Sequence, residues 1–289
     1  MSLKIAACVI LYNPKSEDLA NLDSYLSKVD RLYVFDNSEQ RLTIKAYESH
    51  TKIKYFWDGD NAGIAKRLNQ ACRQAIDHGY QFLLTMDQDS SFLEENIKKY
   101  FFDINNFTDK DEVAAFGLCY SNEDKFKDND DVLFQEVDHL ITSGAVINLD
   151  LFGAIGGFDE NLFIDYVDID YCYAAKAKGF HSIQFKNNYL KHSLGEPLKR
   201  GFFASLFTNK KRRVHSAFRI YYLKRNMLYL ENKYGNLFPE KIAKLKKQNN
   251  YYIKKSIKYS ENVIEAFRYY NKARKDYKSQ TMGKLLKNE

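Results

Sequence analysis

No stretch of the 289-residue chain approaches the roughly 20 consecutive apolar residues of a membrane-spanning helix, and no signal-peptide pattern opens it. The expectation is a soluble, cytoplasmic protein. Cysteine is scarce: Cys8, Cys72, Cys119 and Cys172 lie far apart, form no CxxC and fall within apolar patterns. That argues against zinc and disulfides and for small core residues of a reduced protein. Internal repeats, low-complexity linkers and any nucleic-acid-binding module are missing too, so repeat folds and nucleic-acid partners are set aside.

What is present is ample for a core, with 45% of residues hydrophobic and 15% aromatic, and the length suits one main domain with an appendage. The net charge of +6 is mild but unevenly placed. From Lys241 onward the chain carries Lys244, Lys246, Lys247, Lys254, Lys255, Lys258, Arg268, Lys272, Arg274, Lys275 and Lys278. Such a stripe suits peripheral contact with an anionic membrane better than nucleic acid; a solvated helix face explains it equally well. Tyr251, Tyr252, Tyr259, Phe267, Tyr269 and Tyr270 read as the packing side of helices in this tail.

Short apolar runs alternate with amphipathic segments in the first half. The runs cover residues 5–11, 32–35, 53–57 and 82–86, with helices expected at 16–28, 39–49 and 63–78. Strand alternating with helix implies a parallel sheet with crossover connections. In the third helix Ile64, Ala65, Leu68, Ala71, Cys72, Ala75 and Ile76 recur at helical spacing, and Gly79 ends it. A helix near 92–102, a strand around 113–118, a polar surface loop at 121–131, strand-like residues at 140–148 and a helix over about 168–178 follow. From about Arg212 the pattern is helical, which places a boundary near Thr208: a first domain over 1–208 and a basic helical region over 209–289.

The run FLLTMDQDSS stops abruptly at Asp87 and Asp89, one residue apart. A D-x-D at the carboxyl end of a buried strand projects acidic oxygens into the crevice where open α/β sheets bind ligands, and hard divalent cations prefer such oxygens. A second acidic knot, Asp165, Asp168 and Asp170, lies in FIDYVDIDYCYAAKAKGF. The pair of knots suggests a metal-diphosphate site facing a general base; helix capping by Asp89, Ser90 or Ser91 is the plain alternative for the first.

The ordered series CVILYNP, VFDNS, DNAGIAKRLNQA, LLTMDQDS, TSGAVIN, GGFDENLFIDYVDIDYCYAAKAKG and KHSLGEP resembles the family 2 glycosyltransferases of the GT-A fold, particularly their rhamnosyltransferase branch, over about residues 3–200. The downstream RIYYLKRNMLYL is also similar to that branch. The resemblance implies an α/β, Rossmann-like, mostly parallel mixed sheet flanked by helices. It also implies a nucleotide-diphosphate sugar donor, dTDP-rhamnose in that branch, with Mn²⁺ or Mg²⁺ as cofactor and inversion at the anomeric carbon. The acceptor would be a cell-surface polysaccharide or a lipid-linked glycan, reached from the inner face of the plasma membrane.

Residue by residue, the resemblance places Tyr12, Asn13 and Asp36 in the base pocket, with Asn61, Gly63 and Asn69 beside the nucleotide. A turn at Asn13-Pro14, an Asx-turn at Asp36 and a structural amide at Asn69 are equally compatible with the residues alone. Asp87 and Asp89, flanking Gln88, would hold the cation on the diphosphate, and His192 resembles the histidine that completes the metal site. Thr142, Ser143 and Gly144 would line the donor sugar. Asp168 aligns with the base that removes the acceptor hydroxyl's proton. Asp165 would share its helix face, whereas Asp170 would point about 200° away. Asp159, Asp165, Asp170 and Arg225 are candidate acceptor or phosphate contacts, Arg225 equally a surface arginine. Two departures from the commoner family pattern stand out: Val167 where an acid usually precedes the base, and Ala174-Ala175 where an arginine is often found. FLLTMDQDSS also resembles the signature of haloacid-dehalogenase-type phosphatases, with Asp87 as nucleophile, but Ser91 stands in place of the usual Thr or Val. A non-catalytic nucleotide-sugar-binding scaffold is the third alternative.

Overall fold

The computed structural model describes residues 3–42, 47, 50–121, 132–192 and 216–286. The chain forms two compact units, one of residues 1–159 and 167–194, the other of residues 160–166 and 195–289.

The first unit is built on a mixed sheet of nine strands among the described residues: β1 (Ile5–Leu11), β2 (Arg31–Asp36), β3 (Ile53–Trp57), β4 (Phe82–Asp87), β5 (Ser90–Ser91), β6 (Val113–Ser121), β7 (Phe134–Glu136), β8 (Ala145–Asn148) and β9 (His181–His192). Their order is β3-β2-β1-β4-β8-β6-β9-β5, with β7 also on β9. β3, β2, β1 and β4 are parallel, β8 runs against both β4 and β6, and β9 runs parallel to β6. β1 and β4 are apolar on successive residues because both faces of these central strands are covered. Chain order reverses across β1, with β2 on one side and β4 on the other, which makes the β1/β4 junction the switch point where such sheets bind ligands. The register levels the carboxyl ends there: Leu11 pairs with Asp36, Asp36 with Trp57, and Ile10 with Asp87.

The helices of this unit are α1 (Ser16–Ala20), α2 (Asp23–Leu26), α3 (Ile64–Asp77), α4 (Glu94–Asn105), α5 (Leu149–Ile155) and α6 (Val167–Ala177). The single helix expected over 16–28 is broken at Asn21 and Leu22, where Leu22 is buried and the Asn21 amide donates to the Gln88 carbonyl at 2.9 Å. The helix expected over 39–49 falls mostly outside the described residues. α3 follows its apolar stripe, burying Ala65, Leu68, Ala71, Cys72 and Ala75, and the chain turns at Gly79 with φ +74°. The strand-like run at 140–148 is strand only from Ala145, because residues 142–144 form a turn with Gly144 at φ +78°. β9 was not apparent in the pattern: the alternation of HSIQFKNNYLKH is confined to Ile183 and Phe185 and breaks at Lys186-Asn187-Asn188, and its pairing with β6 carries a register shift between Leu118 and Cys119. Burial holds the Cys8 and Cys72 thiols above their usual range, consistent with core residues.

In the second unit α7 (Ala217–Tyr234), α8 (Pro239–Tyr259) and α9 (Val263–Lys278) pack together. Ser216 and Asn262 cap α7 and α9 through their side-chain oxygens, and Pro239 opens α8. This unit also includes residues 160–166. No helix among the described residues is long and apolar enough to cross a membrane.

Candidate active site

The β1 and β4 ends are tied together by Gln88. Its side-chain oxygen accepts the Tyr12 backbone N–H at 2.8 Å and its amide donates to the Tyr12 carbonyl at 3.4 Å. The next residue, Asn13, takes a left-handed φ of 45° and donates its N–H to Ser38 Oγ at 2.8 Å, so the β1 and β2 loops are joined as well. Tyr12 itself is half-exposed. Asp36, in contrast, does not face a pyrimidine edge. It is fully buried and accepts from the Ser38 and Leu42 N–H groups at 2.8 and 3.3 Å and from the Tyr55 hydroxyl at 2.5 Å. The Asx-turn role prevails because its oxygens are already supplied with donors.

The loop before α3 is organised from within. Asn61 Oδ1 accepts the Gly63 N–H at 3.1 Å, and Gly63 turns the chain into the helix at φ +82°. Arg67, buried in α3, donates to Asn37 Oδ1 at 2.7 Å, to both Asp58 oxygens at 2.6 and 2.9 Å, and to the Asp60 carbonyl at 2.9 Å. Sequence reasoning passed over Arg67, since an arginine on a helix normally reads as surface; its only signal was a place on the apolar stripe beside Leu68. Asn69 is not a nucleotide ligand. Its amide donates to the Phe158 carbonyl and its oxygen accepts the Phe158 N–H, both at 2.8 Å, so both ends are spent on the loop before Asp159. Gly157 is required beside this clamp: φ is +75° and a Cβ there would stand 2.9 Å from Asn69 Oδ1.

Asp87 and Asp89 sit half-buried at the carboxyl end of β4 and in the turn that follows. The Asp87 N–H donates to Ser143 Oγ at 3.2 Å. Thr85 Oγ1 donates to the Thr142 and Ala145 carbonyls at 2.5 and 3.1 Å, the Gly144 N–H donates to the Thr85 carbonyl at 2.8 Å, and the Tyr100 hydroxyl donates to the Gly144 carbonyl at 3.0 Å. The Thr142 N–H in turn donates to Asp168 Oδ2 at 3.2 Å. The 142–144 turn therefore spans from the D-x-D strand to the first turn of α6.

Asp168 also accepts the Ile169 N–H at 2.8 Å. Burial pushes its carboxyl above the usual range, opposed by those two amides and by nearby His139. A carboxylate raised in this way is a stronger base than an ordinary one, as a proton acceptor requires. Asp170 is fully buried and cannot meet an acceptor. Asp165 does not share a helix face with Asp168: α6 begins at Val167, Asp165 lies before it at φ +63°, and its carboxylate is gripped by Arg219. Arg225 is likewise no phosphate contact; it is fully buried and donates to the Tyr221 hydroxyl at 3.0 Å and the Gly283 carbonyl at 2.7 Å. Asp159 is half-buried beside Phe158.

Among the described residues no three His, Cys, Asp or Glu side chains gather as a metal-holding group. The His192 backbone pairs with Ser90, next to Asp89, but its side chain lies outside the described residues. Two carboxylates one residue apart at the carboxyl end of a central strand nevertheless fit a hard divalent cation of the kind held by one or two carboxylates together with substrate phosphates.

No family model matches the chain. The dTDP-rhamnosyl transferase RfbF of Shigella flexneri is 26% identical over 247 residues, 81% of each chain. The low-salt glycan biosynthesis hexosyltransferase Agl10 of Haloferax volcanii is 26% identical over 196 residues, 60% of this chain and 62% of that protein. Among solved structures, GalNAc-T7 with UDP, GalNAc and Mn²⁺ superposes with a TM-score of 0.54 at 12% identity, over 66% of this chain and 44% of that one. The mannosyltransferase PcManGT of Pyrobaculum calidifontis, in complex with GDP-Man and Mn²⁺, gives 0.52 at 13% identity, over 96% and 83%. The fold is GT-A, and in sequence the chain is similar to two sugar transferases.

Proposed function

We propose that this protein is an inverting, cation-dependent glycosyltransferase that moves L-rhamnose from dTDP-L-rhamnose to a hydroxyl of a glycan or lipid-linked glycan. The observation that carries the reading is the span from Asp87 through Ser143 and Thr142 to Asp168, which joins a donor-side carboxylate pair to a half-buried candidate base. Likeness to the Shigella dTDP-rhamnosyl transferase over 81% of both chains supports the choice of donor.

In this reading the acceptor oxygen attacks the anomeric carbon, its proton passes to Asp168, and the bond to the diphosphate breaks with its electron pair leaving on dTDP. Asp87 and Asp89 would hold Mn²⁺ or Mg²⁺, with His192 a third candidate; when bound, the cation neutralises charge on the departing diphosphate. Tyr12 and the loop from Asn61 to Gly63 border the nucleotide, and Ser143 and Gly144 the sugar. Thermal stabilisation by dTDP, UDP and GDP, each with and without Mn²⁺, tests this directly. The reading requires the largest Mn²⁺-dependent shift with dTDP; a larger shift with GDP or UDP would change the donor, and a phosphoaspartate trapped at Asp87 would overturn the chemistry.

The helical unit supports a second element of the proposal, peripheral contact with an anionic membrane at the cytoplasmic face. Ile264 and Phe267, 68% and 51% exposed on the first two turns of α9, precede Arg268, Arg274, Lys275 and Lys278 on the same helix, and Tyr251 and Tyr252 on α8, which like Phe267 are exposed and not on the packing side their pattern suggested, are followed by Lys254, Lys255 and Lys258. Flotation with phosphatidylglycerol-containing vesicles, lost in high salt and in an Ile264→Ser/Phe267→Ser variant, is the expected result. Absence of flotation at low salt would remove this element and leave the catalytic reading intact.

A further inference from the structure

The stretch joining α1 to α2 keeps helical dihedrals, with Asn21 at φ -61° and Leu22 at φ -59°, but its hydrogen-bond ladder tightens. Leu22, Ser24 and Tyr25 donate their N–H groups to carbonyls three residues back, at 3.1, 3.1 and 3.3 Å. In such a 3₁₀ turn residues three apart eclipse, so Asn21 and Ser24 line up on one side; a turn of this kind inside a helical pattern often marks a functional hinge. Leu22, fully buried, anchors it in the core.

The aligned pair holds both flanks of the turn that carries Asp89. Asn21 Nδ2 donates to the Gln88 carbonyl at 2.9 Å, and Ser24 Oγ accepts the Phe92 N–H at 3.0 Å. The Ser24 hydroxyl gives its own proton to the Asn21 carbonyl at 2.7 Å, which leaves its oxygen lone pairs for Phe92. Gln88, between Asp87 and Asp89, is fixed a second time by its two side-chain bonds to Tyr12. Over this interval the chain leaves the central strand β4 and crosses to β5, which pairs with β9. All of these residues belong to the first unit.

We propose that Asn21 and Ser24 are positioning residues for the cation-holding carboxylates: the 3₁₀ turn between α1 and α2 braces residues 88–92 and so sets the separation and direction of Asp87 and Asp89 before a cation arrives. The inference rests on the reading that this carboxylate pair holds the cation. The effect runs through the backbone at Gln88 and Phe92, and a site fixed in advance by such support binds more tightly than one that must be ordered on binding.

Asn21→Ala and Ser24→Ala in the full chain test it, with Ser24→Thr as the conservative variant and Asp89→Asn as reference. The readout is Mn²⁺ affinity, alone and with excess dTDP, from the electron paramagnetic resonance signal of free Mn²⁺, so no turnover is involved. Each alanine variant should bind Mn²⁺ about 10-fold or more weakly, as when the outer support of a metal site is removed, and the two losses should be less than additive because they act on one turn. Ser24→Thr, which keeps the hydroxyl, should bind as wild type does. Without metal, hydrogen exchange in the alanine variants should quicken over residues 88–92 and stay unchanged in β1 and β2. A merely structural role would lower the melting temperature and leave Mn²⁺ affinity at the wild-type value, and that result in folded variants would overturn the inference. If Asn21→Ala does not melt cooperatively, Ser24→Ala decides alone, since Ser24 is half-buried and loses one hydroxyl. Wild-type Mn²⁺ affinity in Asp89→Asn would remove the cation reading and this inference with it; lost affinity in Asp89→Asn beside unimpaired alanine variants would remove the brace alone.

Discussion

The Ser143 hydroxyl accepts the backbone N–H of Asp87 at 3.2 Å. One residue earlier, the Thr142 N–H reaches Asp168. A single turn therefore sets the spacing between the D-x-D strand and the candidate base, although Asp87 and Asp168 come from distant parts of the chain. Ser143→Ala should cost about 1 kcal/mol of stability, the worth of one hydrogen bond, and lower turnover further than that loss alone implies. Urea unfolding beside steady-state kinetics separates the two effects; unchanged turnover would deny the turn its spacing role.

Asp168→Asn is expected to reduce transfer by about 10²- to 10⁴-fold, the usual contribution of a general base, without altering thermal stabilisation by dTDP and Mn²⁺. The pH dependence follows from the raised carboxyl. Because the base must be ionised, kcat should fall on acidification at a pH above the ordinary carboxylate range. Stability should run the other way: the native state holds this proton more tightly than the unfolded chain, so the contribution of Asp168 to stability declines as pH rises through its native value. A kcat limb at or below the ordinary carboxylate value would contradict the assignment.

Asp87→Asn and Asp89→Asn should each abolish the cation-dependent part of the dTDP shift while leaving the apo melting temperature within about 2 °C, as expected of half-buried carboxylates at the end of a strand. Adding a chelator to the wild-type protein should reproduce that loss. A variant that keeps its full Mn²⁺-dependent shift would place the cation elsewhere.

Asn69→Leu distinguishes a clamp from a nucleotide ligand. It leaves the buried Phe158 N–H and carbonyl without the amide that satisfies them, a loss of about 1–3 kcal/mol, yet dTDP affinity should be unchanged. Gly157→Ala should also destabilise the fold, since an L-residue there is strained and its Cβ meets the same amide. Weakened dTDP binding in folded Asn69→Leu would restore the nucleotide role.

Much of the first unit was legible because its signals are local. Apolar runs ending in Tyr12, Asp36 and Asp87 announce parallel strands with polar carboxyl ends, and the α3 stripe announces its buried face. β9 gave only a weak signal, since Ile183 and Phe185 alternate but Lys186-Asn187-Asn188 interrupt the pattern, and pairing with β6 carries the strand through them. The break between α1 and α2 was hidden for a similar reason: burial of Leu22 and the bond from Asn21 to Gln88 come from residues far away in sequence.

By itself the sequence determined which chemistry was on offer: two acidic knots, an apolar strand to carry the first, and a basic helical tail. Residue type and short-range spacing suffice for that. Which carboxylates remain for chemistry was decided only by the tertiary structure. Asp36 was a candidate nucleotide contact and Asp165 and Asp170 candidate acceptor contacts beside the candidate base Asp168, yet Asp36 is occupied by three donors, Asp165 by Arg219, and Asp170 is sealed in the core. A buried polar group is committed to whatever partner the fold brings to it, and those partners lie up to 54 residues away in sequence.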